Sequence, residues 1–235
     1  MDVSDQAAVD AFAAETWDTF GGVHFLLNNA GTGVGSASCL TDPAAWRRNL
    51  DVNLFGCLNV LQAFVPRMVE ASERCTVVNT GSKQGITSPP GNLAYNVGKA
   101  GVKVITEGLQ HELRSTGPKD PITNKPLITA HLFVPGWVNT MLARNYFRDT
   151  KGESFDPAVD VPWSTDNPSA GAWMPGEAID YLFDAIAEER FYVICPDNDV
   201  SEATDKKRIA WACGDMLERD VPLSRWDPDY KDAFE

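Results

Sequence analysis

Ser82 and the run Tyr95-Asn96-Val97-Gly98-Lys99 carry the most specific pattern in this sequence. Tyr95 and Lys99 are four residues apart in a helix-forming stretch, so both side chains leave the same face of that helix, one turn apart. A free tyrosine titrates near ~10, and a nearby cation favours the phenolate, so the pair is suited to acid–base chemistry near neutral pH. Ser82 follows an apolar strand, where it is placed to hydrogen-bond a substrate oxygen beside the phenol.

The tyrosine–lysine spacing also arises by chance, as a partly buried tyrosine beside a solvated lysine. Four further segments accompany it here: Leu26-Leu27-Asn28-Asn29-Ala30-Gly31, Asn53-Leu54-Phe55-Gly56, Asn79-Thr80-Gly81-Ser82 and Phe133-Val134-Pro135-Gly136-Trp137-Val138-Asn139-Thr140. In order and spacing, the chain from Asp2 to Ile194 resembles the short-chain dehydrogenase/reductase family. That family's pattern includes Asn-Asn-Ala-Gly, a catalytic Asn, a Ser, Tyr-x-x-x-Lys and Pro-Gly-x-Val-x-Thr.

The resemblance implies an NAD(P)-dependent oxidoreductase that transfers a hydride between the nicotinamide cofactor and a carbonyl or alcohol substrate. By resemblance, Ser82 orients the substrate oxygen and Tyr95 is the general acid or base. Lys99 is implied to lower the tyrosine pKa and to hold the nicotinamide ribose. Asn53 is implied to shape its helix and to hold a water for proton relay. The residues implied to bind the cofactor are Asp2, Val3, Asn29, Ala30, Gly31, Tyr95, Lys99, Pro135, Gly136, Val138 and Thr140.

The family's opening segment, with its Thr-Gly-x-x-x-Gly-x-Gly turn, is not found here, and Asp2-Val3 directly follows Met1. Such a turn aims backbone N–H groups and a helix N-terminus at a pyrophosphate. We therefore expect NAD(P) binding to be weak or lost, and the sequence does not distinguish NAD from NADP. The run from Gly31 to Gly35 does not replace the turn, because its spacing is wrong and no helix opens directly after it.

Two alternatives follow from that expectation. One is a truncated family member without dehydrogenase activity, which acts as a binding protein or uses the tyrosine–lysine pair in cofactor-independent acid–base chemistry. The other is that Met1 is an internal methionine of a longer protein, so that the missing segment is a start-site artefact.

Strand-like apolar runs alternate with helix-length segments, which predicts a parallel sheet with crossover helices. The predicted strands are His24–Leu27, 76–78, 128–134 and 192–194, and the predicted helices are 7–20, 42–66, 92–113 and 176–188. The fold class is α/β, a Rossmann-like doubly wound parallel sheet that is N-terminally truncated to about four of the family's seven strands. We expect one domain over 1–235, with a substrate lid at 145–175 and a C-terminal extension at 200–235. Trp163 and Trp173 in the lid are expected either to close over an apolar substrate or to pin the loop down.

Composition narrows the classes of partner. A net charge of -13 disfavours nucleic acid, which requires concentrated positive charge. No apolar run approaches the ~20 residues that span a bilayer, and no basic leader precedes a hydrophobic segment. We expect a cytoplasmic homodimer or homotetramer acting on a small-molecule carbonyl or alcohol substrate. The five cysteines lack Cys-x-x-Cys spacing and the three histidines are isolated, so we expect no metal site.

Overall fold

A single parallel sheet forms the centre of the computed structural model, which describes residues 1–161, 163 and 167–234. Within these residues the strand order is β1-β2-β3-β4, with neighbours along the chain adjacent in the sheet. Leu26 pairs with Val77, Val78 with His131, and Phe133 with Val193. The strands are β1 (Phe25–Asn28), β2 (Cys75–Thr80), β3 (Ile128–Val134) and β4 (Tyr192–Ile194).

Helices connect the strands and cover both faces of the sheet. The α-helices are α1 (Gln6–Phe20), α2 (Pro43–Leu50), α3 (Gly56–Ala71), α4 (Gln84–Thr87), α5 (Leu93–Ser115), α6 (Met141–Lys151), α7 (Pro157–Asp160), α8 (Pro175–Ala187), α9 (Glu202–Gly214) and α10 (Lys231–Phe234). Two π-helices lie at Asp51–Phe55 and Asp215–Arg219, and 3-10 turns lie at Gly152–Ser154, Ser224–Trp226 and Pro228–Tyr230.

The two faces of the sheet carry separate apolar clusters. Helices α1, α3 and α5 pack on one face, where Val9, Phe64 and Val102 meet Val77 and Ile128 of the strands. Helix α8 packs on the other face, with Ala178, Leu182 and Ala185 against Val78, Phe133 and Val193. This arrangement confirms the predicted α/β Rossmann-like parallel sheet.

Two sequence-based expectations about helices are wrong. The helix predicted to stop at Pro66 continues to Ala71, because Val65 and Met68 are buried on its core face and this packing outweighs the hydrogen bond that the proline removes. In α5, the apolar periodicity of the sequence predicts that Val97 and Val104 face the core, yet both are exposed. The buried face of α5 instead follows polar residues, which a hydrophobic pattern does not detect; they include Tyr95, Asn96, Lys99 and Thr106.

The segment expected to form the lid contains α6, a 3-10 turn and α7. Trp173 lies in the core cluster under α8, edge-on to Tyr181, and Val138 pairs with it as an isolated parallel bridge. Trp163 packs edge-on against Trp137 at 5.7 Å between ring centroids. These contacts fit the interpretation in which the tryptophans hold the segment down.

One helical stretch, Pro43–Ala71, is long and apolar enough by composition to cross a membrane, with a hydropathy of 1.3. Of that apolar window, 44% is buried inside the protein, and a core helix of a soluble protein has the same properties. The stretch is therefore weak evidence for a membrane span.

Candidate active site

The loops at the carboxyl ends of β1, β2 and β3 enclose a cleft of about 1040 Å³. In a parallel α/β sheet this edge is the usual place for a ligand. The structure brings nearly all of the predicted site residues together there. Those lining the cleft are Asn29, Ala30, Gly31, Asn53, Ser82, Tyr95, Lys99, Pro135, Gly136, Val138 and Thr140.

Asp2 and Val3 lie elsewhere. The Asp2 carboxylate accepts hydrogen bonds from the backbone and hydroxyl of Ser4, whereas Val3 is buried against the backbone of Gly56. The carbonyl of Val3 also accepts a hydrogen bond from Asn59 at the start of α3. Neither residue lines the cleft, and their implied role in cofactor binding stays a prediction.

Tyr95 reaches the cleft because α5 begins just before it. Asn92 caps the helix by accepting a hydrogen bond from the Tyr95 backbone N–H, and its side-chain amide donates to the carbonyl of Gly33 across the cleft. The Tyr95 phenol lies beside the Ser82 side chain, and both line the cleft. Burial raises the pKa of Tyr95, and the Ser82 hydroxyl lowers it in part.

Lys99 lies one turn beyond Tyr95, with its ammonium 5.9 Å from the centre of the phenol ring. The ammonium donates to the carbonyl of Thr80 at the end of β2, at 2.8 Å. Burial lowers the pKa of Lys99 to about 8, and the neighbouring Cys57 thiol partly opposes that shift.

The direction of the tyrosine shift corrects the sequence-based expectation. We expected Lys99 to pull the pKa of Tyr95 downward, but desolvation of the nearly enclosed phenol dominates and raises it. The lysine is itself desolvated, which weakens its hold on a proton. The spacing of the two residues predicts that their side chains are neighbours, but it does not predict how completely the folded chain buries them from solvent.

Asn53 sits in the π-helix Asp51–Phe55 and is fully buried. Its side chain accepts from the Thr32 N–H at 3.0 Å and donates to the Thr32 carbonyl at 2.9 Å. It also donates to the Asn49 side chain one turn earlier. Because π-bulges widen a helix locally and often occur at functional sites, this one presents Asn53 to the loop after β1.

Two glycines mark places where the backbone approaches its neighbours too closely for a side chain. A Cβ on Gly31 would lie 2.9 Å from Asn53 Oδ1 and 3.6 Å from Lys99 Nζ. A Cβ on Gly136 would lie 2.6 Å from Asp197 Oδ2. Gly31 therefore allows the loop after β1 to lie close to Asn53 and Lys99, and Gly136 allows the segment after β3 to lie close to Asp197.

Sequence reasoning missed several residues that build the cleft. Asn92 was detectable, because an Asn directly before a helix-forming run is a standard N-cap. Asn49 and the Thr80 carbonyl gave no such signal, since their roles depend on the π-helix and on the end of β2. Trp137, Met141, Tyr146 and Phe147 also line the cleft, the last three from α6.

A charged cluster lies directly behind the cleft. Lys83, the residue after Ser82, makes ion pairs with Asp205 of α9 at 2.7 Å and with Asp197 at 3.5 Å. Asp197 also accepts a hydrogen bond from the backbone N–H of Trp137 at 3.0 Å. The cluster thus connects the serine loop, the segment after β3 and the C-terminal extension.

Comparison with known proteins assigns the family. The family model described as short chain dehydrogenase matches residues 1–151, and the chain therefore belongs to the short-chain dehydrogenase family. A sulfoacetaldehyde reductase of Chromohalobacter salexigens is 37% identical over 118 residues, which are 50% of this chain and 47% of that protein. An uncharacterized oxidoreductase of Staphylococcus aureus strain MW2 is 32% identical over 145 residues, 62% of this chain and 58% of that protein. The chain spans about half the length of these relatives.

Solved structures agree on the fold. A short chain dehydrogenase/reductase from Burkholderia phymatum in complex with NAD has a TM-score of 0.75 and 28% identity, covering 94% of this chain and 76% of that one. A gluconate 5-dehydrogenase from Burkholderia cenocepacia J2315, in complex with NADP and tartrate, has a TM-score of 0.53 and 28% identity, covering 61% of this chain and 52% of that one.

Proposed function

We propose that this protein is an NAD(P)-dependent oxidoreductase that transfers a hydride between the nicotinamide cofactor and a carbonyl or alcohol substrate. The observation that carries the proposal is the placement of Ser82 beside Tyr95, with Lys99 one helical turn away and all three lining one large cleft. Asn53 lines the same cleft from the π-helix.

The protonation of the site favours carbonyl reduction near neutral pH. Burial keeps Tyr95 protonated, so its phenol can donate a proton to the substrate oxygen as a general acid. Ser82 donates a hydrogen bond to the same oxygen and orients it. The Lys99 cation stabilises the tyrosinate that forms. Hydride transfer is the chemistry that a bound nicotinamide supplies.

The walls of the cleft fit the nicotinamide end of a dinucleotide. An ammonium has three donors and that of Lys99 gives one to Thr80, which leaves donors for ribose hydroxyls. Gly31 and Gly136 line the same cleft and carry no side chain that would occupy it. In this proposal Asn29, Ala30, Val138 and Thr140 complete the contact. The weak affinity expected from the sequence remains a prediction that calorimetry with NADH and NADPH tests.

We further propose a cytoplasmic homodimer or homotetramer, built from one domain over 1–235 with a lid at 145–175 and an extension at 200–235. Exposed apolar side chains support assembly, among them Phe55 (50% exposed) and Val104 (63%) near the helix pair α3 and α5. Gly98 and Gly101 are unavailable for such an interface, because they face Asn53 and Leu54 of the same chain.

The test is oxidation of NADH or NADPH by the purified chain with a panel of aldehydes and ketones. Tyr95→Phe is expected to lower kcat at least about 100-fold, because it removes the general acid. Tyr192→Phe is the matched control and should keep its activity, since Tyr192 bonds Glu107 outside the cleft. Equal activity in the parent and in Tyr95→Phe would overturn the proposed role of Tyr95. An absence of turnover with every substrate of the panel would overturn the proposed oxidoreductase activity.

A further inference from the structure

The part of the cleft away from the Ser82–Tyr95 pair has an apolar wall. It is contributed by the segment after β3, by α6 and by α8, through Trp137, Met141, Leu142, Phe147 and Ile179. Several of these side chains remain open to solvent; Met141 is 57% exposed and Trp137 is 41% exposed. Covering such side chains with an apolar ligand group is favourable, because it removes apolar surface from water.

The charged groups of the cleft already have partners within the protein. Among the described residues that line it, Lys83 and Lys99 alone carry a formal charge. Lys99 is 5% exposed and holds the Thr80 carbonyl beneath the reaction centre. Lys83 is paired with Asp197 and Asp205, whose side chains are each 6% exposed, so this cluster of one cation and two carboxylates has a net charge of −1.

In the proposed function the remaining donors of Lys99 serve the ribose and the tyrosinate, so an anionic substituent would find no unpaired lysine for itself in the described lining. Sulfonates and carboxylates are bound most effectively by charge-assisted donors, above all the forked guanidinium of arginine. The described lining contains no arginine, and the internal residues outside the described ranges are Pro162, Ser164, Thr165 and Asp166. The chain's net charge of -13 adds a field that repels anions.

Resting on the proposed function, we infer that the substrate is an uncharged carbonyl compound or alcohol with an apolar group of aromatic size, and that the cleft discriminates against sulfonates and carboxylates. The apolar wall covers the group attached to the carbonyl carbon. The pairing of Lys83 with two buried carboxylates removes the charge that an anionic substituent would require. The substrate class thus differs from the one in the name of the 37%-identical relative, sulfoacetaldehyde reductase.

Phenylacetaldehyde and sulfoacetaldehyde test this inference, because each is acetaldehyde with one substituent, phenyl or sulfonate. With NADH or NADPH, we expect kcat/KM to be at least about tenfold higher for phenylacetaldehyde. Without cofactor, ligand-observed NMR should show that 2-phenylethanol binds at least about tenfold more tightly than isethionate, the alcohol that corresponds to sulfoacetaldehyde. The binding measurement does not depend on turnover. If the chain is inactive, the proposed function is contradicted, and the binding preference still tests the substrate class. Equal or better binding of isethionate, or binding of neither alcohol, would overturn the inference.

Asp205→Asn tests the charge cluster directly. This change leaves Lys83 with a single carboxylate partner. The ratio of the 2-phenylethanol affinity to the isethionate affinity should therefore fall by about threefold or more. Asp120→Asn is the matched control, because Asp120 pairs with Arg74 outside the cleft and its loss should leave the preference unchanged. An unchanged preference in folded Asp205→Asn would show that the cluster does not exclude anions.

Discussion

At the scale of single residues, the candidate site is governed by the cost of keeping charges in a dry environment. Tyr95 and Lys99 are both buried, and burial disfavours the charged form of each, so the pKa of the phenol rises and that of the ammonium falls to about 8. The two pKa values therefore move apart, with that of the phenol above its ordinary value and that of the ammonium below it. At neutral pH the phenol keeps its proton and can act as a general acid.

The depressed pKa of Lys99 predicts a pH-dependent stability with a defined sign. The folded chain releases this proton near pH 8, whereas the unfolded chain releases it near pH 10.5, the ordinary pKa of a lysine side chain. Below about pH 8 both states are protonated and the full cost of burying the charge is present. As pH rises from about 8 to 10.5, the unfolded state binds more protons, so the contribution of Lys99 to stability increases.

Urea unfolding of the parent and Lys99→Met measures this effect. The stability of the parent relative to the variant should increase by on the order of 2–3 kcal/mol between about pH 7 and pH 10. Terms that do not depend on pH, such as the lost bond to Thr80, cancel in this comparison. A difference that stays constant, or that changes with the opposite sign, would show that Lys99 titrates normally.

At the scale of elements, close helix packing places the catalytic face of α5. The short helix α4 approaches α5 so closely that a Cβ on Gly85 would lie 2.5 Å from the Lys99 carbonyl carbon and 2.7 Å from the Ala100 nitrogen. Both contacts are with backbone, which cannot rotate away. The position of Lys99 therefore depends on a glycine in a neighbouring element.

Gly85→Ala should lower the free energy of unfolding by about 1–3 kcal/mol, because the added methyl forces backbone apart. It should also reduce turnover, since the shift falls directly on Lys99. Gly108→Ala is the control, because Gly108 lies in α5 with no atom within 4 Å of its added Cβ. That change is expected to be neutral or to stabilise by about 0.5–1 kcal/mol. Thermal unfolding that ranks the two variants in the other order would contradict the packing argument.

The same elements show what sequence reasoning can detect. Strands β3 and β4 were predicted with their observed limits, because both are short apolar runs with clear ends. The grouping of Ser82, Tyr95 and Lys99 followed from spacing and topology. Spacing did not reveal the π-helix that carries Asn53 or the cluster of Lys83 with Asp197 and Asp205. Each of these features depends on contacts between segments that are distant in sequence.

At the scale of the whole molecule, the chain exposes more surface than a compact monomer of its size. Its accessible surface is 13026 Å² for 25.7 kDa. The usual scaling gives about 10,400 Å² for a compact monomer of that mass. Part of the excess lies beside β1, which within the described residues pairs on one side only, with β2. Phe25 of β1 is 39% exposed and stacks on Phe183 of α8, which is 51% exposed.

Exposed strand edges with apolar side chains favour association. We therefore expect the isolated chain to form a dimer or larger assembly, or to aggregate. Light scattering across a dilution series measures the mass, and hydrogen exchange over 24–27 reports whether β1 is covered. A stable monomer with unprotected β1 amides and no tendency to associate would contradict this expectation.

The most direct test of the proposed activity follows the hydride itself. The chain is incubated with NADH or NADPH deuterated at the transferable position and with phenylacetaldehyde, and the alcohol product is analysed by mass spectrometry and NMR. We predict one deuterium on the former carbonyl carbon, added to a single face, in the parent and not in Tyr95→Phe. Alcohol without deuterium at that carbon, or the same labelled yield from Tyr95→Phe, would contradict the proposed hydride transfer.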